Sequence, residues 1–247
     1  MTDNSDKYIQ AQDLSIFYDN VCVLKDINFE CDKGDFVSIV GLSGSGKSSF
    51  LNALANFIPY EGKVTIPSKI GYIFQTHSLF PWMTVKQNIA FGLQHLSRQE
   101  QELKINQLLN RIGLVNEANK YPAQLSGGQV QRVALARTFS TDPEVILADE
   151  PYAALDHYTR DKMHEWLLDI LRESKKTVIF VTHYIEEAVF LSDRIIIIKD
   201  KKFIDNLIIP FSKPRDPNIR YQKEFLDVKY EILTIMDPAS ISQTKKV

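Results

Sequence analysis

Eight consecutive residues, Gly41-Leu42-Ser43-Gly44-Ser45-Gly46-Lys47-Ser48, have the spacing G-x-x-x-x-G-K-S of a polyphosphate-binding loop. Glycines admit backbone angles that turn successive N–H groups inward, and a helix beginning near Lys47 adds the positive end of its dipole. The Lys47 ammonium then pairs with the β- and γ-phosphates and the Ser48 hydroxyl ligates Mg²⁺. A plain glycine turn is the competing reading. About a hundred residues on, Val145-Ile146-Leu147-Ala148-Asp149-Glu150-Pro151 is an apolar strand ending in two carboxylates, and ligands of open α/β sheets bind at the carboxyl ends of strands. Asp149 is expected to reach the magnesium. Pro151 is expected to hold Glu150 extended, so that its carboxylate faces the γ-phosphate and orients a water, which means hydrolysis. A solvated strand-end charge is the alternative for Glu150.

A second run, Leu125-Ser126-Gly127-Gly128-Gln129, precedes the helical Val130 to Arg137 and puts a hydroxyl and two glycines at a helix start. By the same dipole argument this is a second anion site. Either it takes another ligand, or it caps the γ-phosphate of a nucleotide held by a different copy of the chain, or it is only a helix-initiating turn.

The elements that must position these residues follow from periodicity. Asp35 to Val40 reads as a buried strand running into the glycine loop, and Lys47 to Leu54 as the helix after it. Further strands are expected at Ile70 to Phe74, Val145 to Ala148, Thr177 to Val181 and Arg194 to Ile198, several apolar throughout, as parallel strands covered on both faces should be. Met163, Trp166, Leu167, Ile170 and Leu171 form a helical stripe, read as the side packed on the sheet. Roughly 70 residues between Phe74 and Val145 have little strand character, whereas Ile105, Leu108, Leu109 and Ile112, and then Val130, Val133 and Ala134, recur at helical spacing. They predict a helical insertion at about 78–140. The N-terminal 35 or so residues, with Leu14 to Tyr18 and Ile27 to Glu30, alternate like antiparallel strands with one wet face. The expected fold is therefore α/β, a P-loop NTPase core with an N-terminal antiparallel β subdomain and an inserted α-helical subdomain. One domain spans 1–236, followed by a polar tail, 237–247.

Composition sets the outer limits. Of 247 residues, 44% are apolar and 24% charged, an ordinary globular balance. With 29 Lys and Arg against 31 Asp and Glu, and no basic stripe, the chain is not expected to bind nucleic acid. No apolar run approaches the ~20 residues of a spanning helix, and the start, Met1 to Lys7, lacks the pattern of an export signal. A cytoplasmic location is expected. Cys22 and Cys31 read as reduced thiols.

The phosphate loop, the Leu125 to Gln129 run and the Asp149-Glu150-Pro151 strand end, in this order and at these separations, resemble the nucleotide-binding subunit of ATP-binding-cassette transporters. The resemblance covers nearly the whole chain. It implies that two copies close head to tail over two ATP molecules, with Ser126, Gly127, Gly128 and Gln129 of one pressing on the ATP held by Gly41, Ser43, Gly44, Ser45, Gly46, Lys47, Ser48 and Ser49 of the other. It further implies that Gln75 contacts Mg²⁺ and the attacking water, that His183 touches the γ-phosphate, and that Tyr18, 29 positions before Lys47, stacks on adenine, with Phe17 as its competitor. Ala154-Leu155-Asp156 resembles the loop through which the copies communicate, although Asp156 is equally able to cap the next helix. His77, His95, His157 and His164 receive no role.

Thr76 to Val85 is an aromatic stretch in the insertion that the family uses to receive a helix of the membrane subunit; alternatively Phe80 and Trp82 fill the insertion's own core. Leu79-Phe80-Pro81-Trp82 with the Pro214 to Pro217 tail is most similar to nitrate, sulfonate and taurine importers, including relatives that take up thiamine precursors. The resemblance thus implies a peripheral ATPase on the cytoplasmic face of the inner membrane, partnered by permease subunits and indirectly by a solute-binding protein. Gln129, where this branch often has methionine, and the small Ala148 depart from the pattern without touching the chemistry. The rival readings are a soluble cassette ATPase acting on ribosomes or DNA and a small P-loop kinase, which would leave Ser126 to Gly128 unexplained.

Overall fold

The computed structural model describes residues 7–76, 79–153 and 155–236. His77 and Ser78 of the aromatic stretch, Ala154 of the communicating loop and the tail 237–247 lie outside the described residues. In chain order the elements are β1 (Ile9–Tyr18), β2 (Val21–Cys31), β3 (Phe36–Gly41), α1 (Lys47–Leu54), β4 (Glu61–Thr65), β5 (Ile70–Ile73), α2 (Val85–Ala90), α3 (Arg98–Arg111), α4 (Gly127–Ser140) and β6 (Val145–Asp149). They continue as α5 (His157–Ser174), β7 (Thr177–Thr182), α6 (Ile185–Leu191), β8 (Arg194–Lys199), β9 (Lys202–Ile208) and α7 (Lys223–Met236). The chain forms two compact units, one from the segments up to Ser68 and from Lys175 on, the other Lys69–Ser174.

In the first unit, β7 and β8 flank β3 in parallel, Phe36 opposite Val178 and Val37 opposite Arg194. Every residue of β3 and β7 is buried, as is the Ile195 to Ile198 run of β8, which is why these strands are mostly apolar, with Ser38 of β3 a buried exception. β9 closes this edge antiparallel to β8, and its alternating exposure marks a half-solvated strand. A separate antiparallel sheet has the order β2-β1-β4. The two strands expected here are present, but β4 and β9 went unrecognised in the sequence. β4 is exposed along most of its length, so it carries no apolar alternation; Gly62 within it has φ 93°, and a Cβ there would lie 2.5 Å from the Gln12 and Asp13 carbonyl oxygens of β1. The phenyl rings of Phe29, Phe50 and Phe203 pack edge to face with centroids 5.0–6.3 Å apart. This cluster anchors α1 behind the glycine loop; burying one such ring stabilises by about 1.5–3 kcal/mol.

In the second unit, β5 and β6 pair in parallel, Ile73 opposite Ala148. Between them the described residues hold only helices and turns. α2, α3 and α4 each begin with a reciprocal capping box, Thr84 with Gln87, Ser97 with Glu100 and Ser126 with Gln129, the sequence-encoded start signal of a helix. Along α5, Met163, Leu167 and Ile170 are buried as the stripe requires. Trp166 departs from it: the indole Nε1 donates to the Arg111 carbonyl at the end of α3 at 2.8 Å and the ring packs edge to face on Phe139 of α4, so this side chain joins helices to one another. His164 is buried against the Tyr152 ring, 5.1 Å between centroids, a packed histidine as its lack of an assigned role implies.

Candidate nucleotide site

The first unit carries the phosphate loop. β3 ends at Gly41, where a Cβ would meet Ser45 Oγ at 2.7 Å and the Ile198 carbonyl oxygen at 2.8 Å, so only glycine lets the chain leave the sheet beside β8. Gly44 and Gly46 hold φ of 78° and 100°, left-handed values that cost glycine nothing. Gly46 is the N-cap of α1, which has no side-chain cap and no acidic residue in its first turn. Its terminal N–H groups and dipole thus favour an anion. Lys47 is only 5% exposed, and its Nζ donates to the Gly41 and Leu42 carbonyls, each at 2.9 Å, which locks a full positive charge against the loop backbone. Ser45 Oγ is buried with no hydrogen-bond partner, an orphan hydroxyl of the kind that a ligand oxygen satisfies. These residues fit a polyphosphate. Ser43 is exposed; Ser48 and Ser49 lie half-buried in the first turn of α1.

Sequence reasoning missed the wall beside this loop. A cavity of about 380 Å³ is lined by Val21, Cys22, Val23, Gly44, Ser45, Asp200 and Lys201. Two tight hairpin turns build it, β1 to β2 through Asp19 and Asn20 (φ 47° and 68°) and β8 to β9 through Asp200 and Lys201 (φ 49° and 65°). Paired positive φ values match the right-handed twist of hairpins, and the Asp-Asn and Asp-Lys dipeptides between apolar runs were the available signal. Burial pushes the Cys31 thiol up to about 12, so it is protonated and inert at neutral pH. Tyr18 and Phe17, at the end of β1, are 44% and 40% exposed on opposite faces of the strand, so burial does not choose between them. His183 is exposed directly after β7, its ring tilted 38° against that of Tyr184 with centroids 4.0 Å apart.

The second unit brings Gln75 and Glu150 together: they follow the adjacent strands β5 and β6, with Gln75 Nε2 and Glu150 Oε2 3.5 Å apart. Asp149 is 8% exposed. Burial first, and the nearby Asp149 charge second, push the Tyr72 phenol up. Glu150 corrects one expectation. Its φ is 42°, in the left-handed region and not extended. The cause is a turn, with the Ala153 N–H donating to the Glu150 carbonyl at 3.2 Å and the Leu155 N–H to the Tyr152 carbonyl at 3.1 Å; closing this turn over the buried Tyr152 outweighs the preference that Pro151 imposes. A non-glycine residue at positive φ costs about 1 kcal/mol, and such strain concentrates at functional sites.

Ser126 Oγ accepts from the Gln129 N–H at 3.3 Å and Gln129 Oε1 accepts from the Ser126 N–H at 2.9 Å, so both side chains cap α4. Ser126 and Gly127 are exposed, a Cβ on Gly127 would meet nothing within 4 Å, and one on Gly128 would lie 2.7 Å from Thr159 Cγ2. The α4 N-terminus is thus open at Gly127 and packed at Gly128. Asp156 accepts from the Thr159 N–H at 3.0 Å. Hydrogen bonds from the Thr159 side chain and backbone hold its carboxyl below the usual range, so Asp156 caps α5. In the aromatic stretch Phe80 is half-buried under the Arg137 guanidinium, with the rings of Phe91 and Trp82 at 4.7 and 5.5 Å, while Trp82 itself stands 69% exposed.

Ser48, Gln75 and Asp149 offer a hydroxyl, an amide and a carboxylate, the hard oxygen donors that suit Mg²⁺. Among the described residues no group of three His, Cys, Asp or Glu side chains could cage a metal, and Mg²⁺ is ordinarily held by one or two carboxylates together with substrate phosphates.

A phosphate loop leading from a parallel strand into a helix, an antiparallel β sheet and a helical region define a P-loop ATPase cassette. The chain belongs to the ABC transporter family, whose model matches residues 24–153. It is 40% identical to the aliphatic sulfonates import ATP-binding protein SsuB of Bacillus cereus, over 91% of this chain and 92% of that one. To the nitrate import ATP-binding protein NrtD of Synechocystis it is 36% identical, over 92% and 93%. Among solved structures it resembles the dimeric ABC transporter cassette MJ0796, with a TM-score of 0.75, 34% identity, and 83% of this chain against 100% of that one. The post-hydrolysis dimer of MJ0796 bound to ADP and Pi gives 0.74 and 33% at the same coverage. The protein is accordingly an ATP-binding subunit, an ATPase coupled to transmembrane transport.

Proposed function

We propose that this chain energises an importer of a small solute, of the nitrate, sulfonate and taurine or thiamine-precursor type, as a pair of copies docked on membrane permease subunits. Lys47 and the backbone of Gly41 to Ser49 hold the triphosphate, and Tyr18 stacks on the adenine. Ser48, Gln75 and Asp149 hold Mg²⁺, which when bound neutralises charge on the β- and γ-phosphates. Glu150 accepts a hydrogen bond from the attacking water and orients it, and His183 contacts the γ-phosphate. Catalysis in this scheme is positioning and electrostatics. Ser126, Gly127, Gly128 and Gln129 of one copy close over the ATP held by the other, and Asp156 lies in the loop through which the copies communicate.

The observation that carries the paired reading is the outward N-terminus of α4: Ser126 and Gly127 are exposed, and nothing crowds Gly127. In this reading the subunit is peripheral, on the cytoplasmic face of the inner membrane, and a solute-binding protein acts on it only indirectly; no helix among the described residues is long and apolar enough to cross a membrane. The exposed Trp82 supports the aromatic stretch as the surface that receives a permease helix. The test is Gly127→Asp, which places a carboxylate where the partner's γ-phosphate would lie. Nucleotide affinity of the isolated chain should stay within about twofold of wild type, because this residue serves the other copy. ATP-dependent dimerisation, read by light scattering, should be lost and hydrolysis fall at least tenfold, since like charges brought together cost several kcal/mol. Full hydrolysis by the variant would refute the shared site. The solute is tested by reconstituting the chain with its permease and screening nitrate, alkanesulfonates and taurine for stimulated hydrolysis.

A further inference from the structure

The Pro214-Arg215-Asp216-Pro217 segment served the sequence reading only as a marker of subtype. In the structure Arg215 is 7% exposed and all five of its N–H donors are used. Nη1 donates to the Val189 and Phe190 carbonyls at 2.9 and 2.7 Å, Nη2 to those of Ser192 and Phe211 at 2.6 and 3.0 Å, and Nε to Phe211 again at 3.3 Å. Two of these carbonyls lie in the last turn of α6 and a third belongs to its C-cap, Ser192. Every partner is a carbonyl oxygen, and desolvation pushes the guanidinium down to about 10. Burying a cation without a carboxylate bonded to it is costly, and an ordinary helix end closes with a glycine at no such cost. The negative end of the α6 dipole offsets part of that cost, but the arrangement is more than a cap needs.

The other end of α6 explains it. This helix has seven residues, about 10 Å at its rise per residue, and it follows His183 after a single residue. The β7–α6 turn is clasped from within: Thr182 Oγ1 donates to the buried Glu187 carboxylate at 2.6 Å and accepts from the Tyr184 N–H at 3.0 Å. Ser192, just past the helix, bonds through its hydroxyl to Ala188 O and to Ser38 Oγ of β3, the strand that runs into the phosphate loop. The C-terminal segment grips the same helix twice more, with the Arg220 guanidinium 3.7 Å from the Phe190 ring centroid and Lys229 Nζ 2.8 Å from Glu186 Oε2.

We propose that Arg215 is a positioning residue for hydrolysis: by pinning the end of α6 it fixes the turn that presents His183. This rests on the reading of His183 as the γ-phosphate contact. In the full-length chain, Arg215→Ala should lower kcat for ATP hydrolysis about tenfold with KM for ATP within twofold, and millimolar N-ethylguanidine should restore much of the loss. His183→Ala should lower kcat further, and adding Arg215→Ala to it should change kcat by less than twofold, because both act through one group. A folded Arg215→Ala with wild-type kcat would overturn the proposal, as would losses that multiply fully in the double variant, or N-ethylguanidine that restores thermal stability and not kcat. Should Arg215→Ala not fold, Arg215→Lys, which keeps the charge with fewer donors, enters the same cycle with the same criteria. A His183→Ala enzyme of normal kcat would instead refute the role of His183, an outcome separate from the failure of Arg215 alone.

Discussion

Glu150→Gln is expected to bind ATP as tightly as wild type and to lose turnover by about two to four orders of magnitude, the range that a positioned acid–base group contributes. The amide matches the carboxylate in shape, so the contact with Gln75 and the turn closed by Ala153 should persist. It lacks the negative charge that draws a proton from water, and one of its two heteroatoms donates where both carboxylate oxygens accept. The measurement pairs steady-state phosphate release with titration of a fluorescent ATP analogue. Hydrolysis within threefold of wild type would remove Glu150 from the mechanism. The variant should also hold two copies together in the presence of ATP, since the event that separates them no longer occurs, and an elution volume unchanged by ATP would remove the paired arrangement.

Lys47→Ala is expected to fail one step earlier. The ammonium makes two hydrogen bonds with the Gly41 and Leu42 carbonyls, and it is the charge through which the loop would recognise the β- and γ-phosphates. A charge-assisted hydrogen bond contributes about 1.5–3 kcal/mol, so the analogue should bind about 10- to 150-fold more weakly, with 1.4 kcal/mol counting as tenfold. The loop itself should survive, because the close approach of Gly41 to Ile198 and the left-handed turn at Gly46 do not involve the side chain. Unaltered affinity would contradict the assignment. Together the two variants separate holding the nucleotide from cleaving it.

The parts of this site that could be read from residue order are those whose physics is local. The phosphate loop needs glycines at fixed intervals before a lysine, α4 needs Ser126 three residues before Gln129, and the buried β3 and β7 need mostly apolar runs. What escaped depends on contacts distant in the chain. β4 is too exposed for its pattern to register, the wall at Cys22 and Lys201 arises where two hairpin turns converge on the loop, and Arg215 finds carbonyls some 25 residues upstream. Glu150 failed for a different reason. The preference imposed by Pro151 is genuine, but it is weaker than the closure of the turn that buries Tyr152. Residue order does not show that Trp82 is exposed while the Phe80 ring it touches is half-buried; tertiary packing sets that difference.

The left-handed backbone at Glu150 sets thermal robustness against the role proposed for its carboxylate at a single codon. Glycine or asparagine would occupy that conformation at lower cost, and either would discard the carboxylate. Directed evolution of this ATPase for heat resistance, with no demand for hydrolysis, would therefore be drawn to replace the residue to which we assign the attacking water. If Glu150 has the role proposed for it, selection for transport would instead retain the strained acid and recover the lost stability elsewhere in the chain.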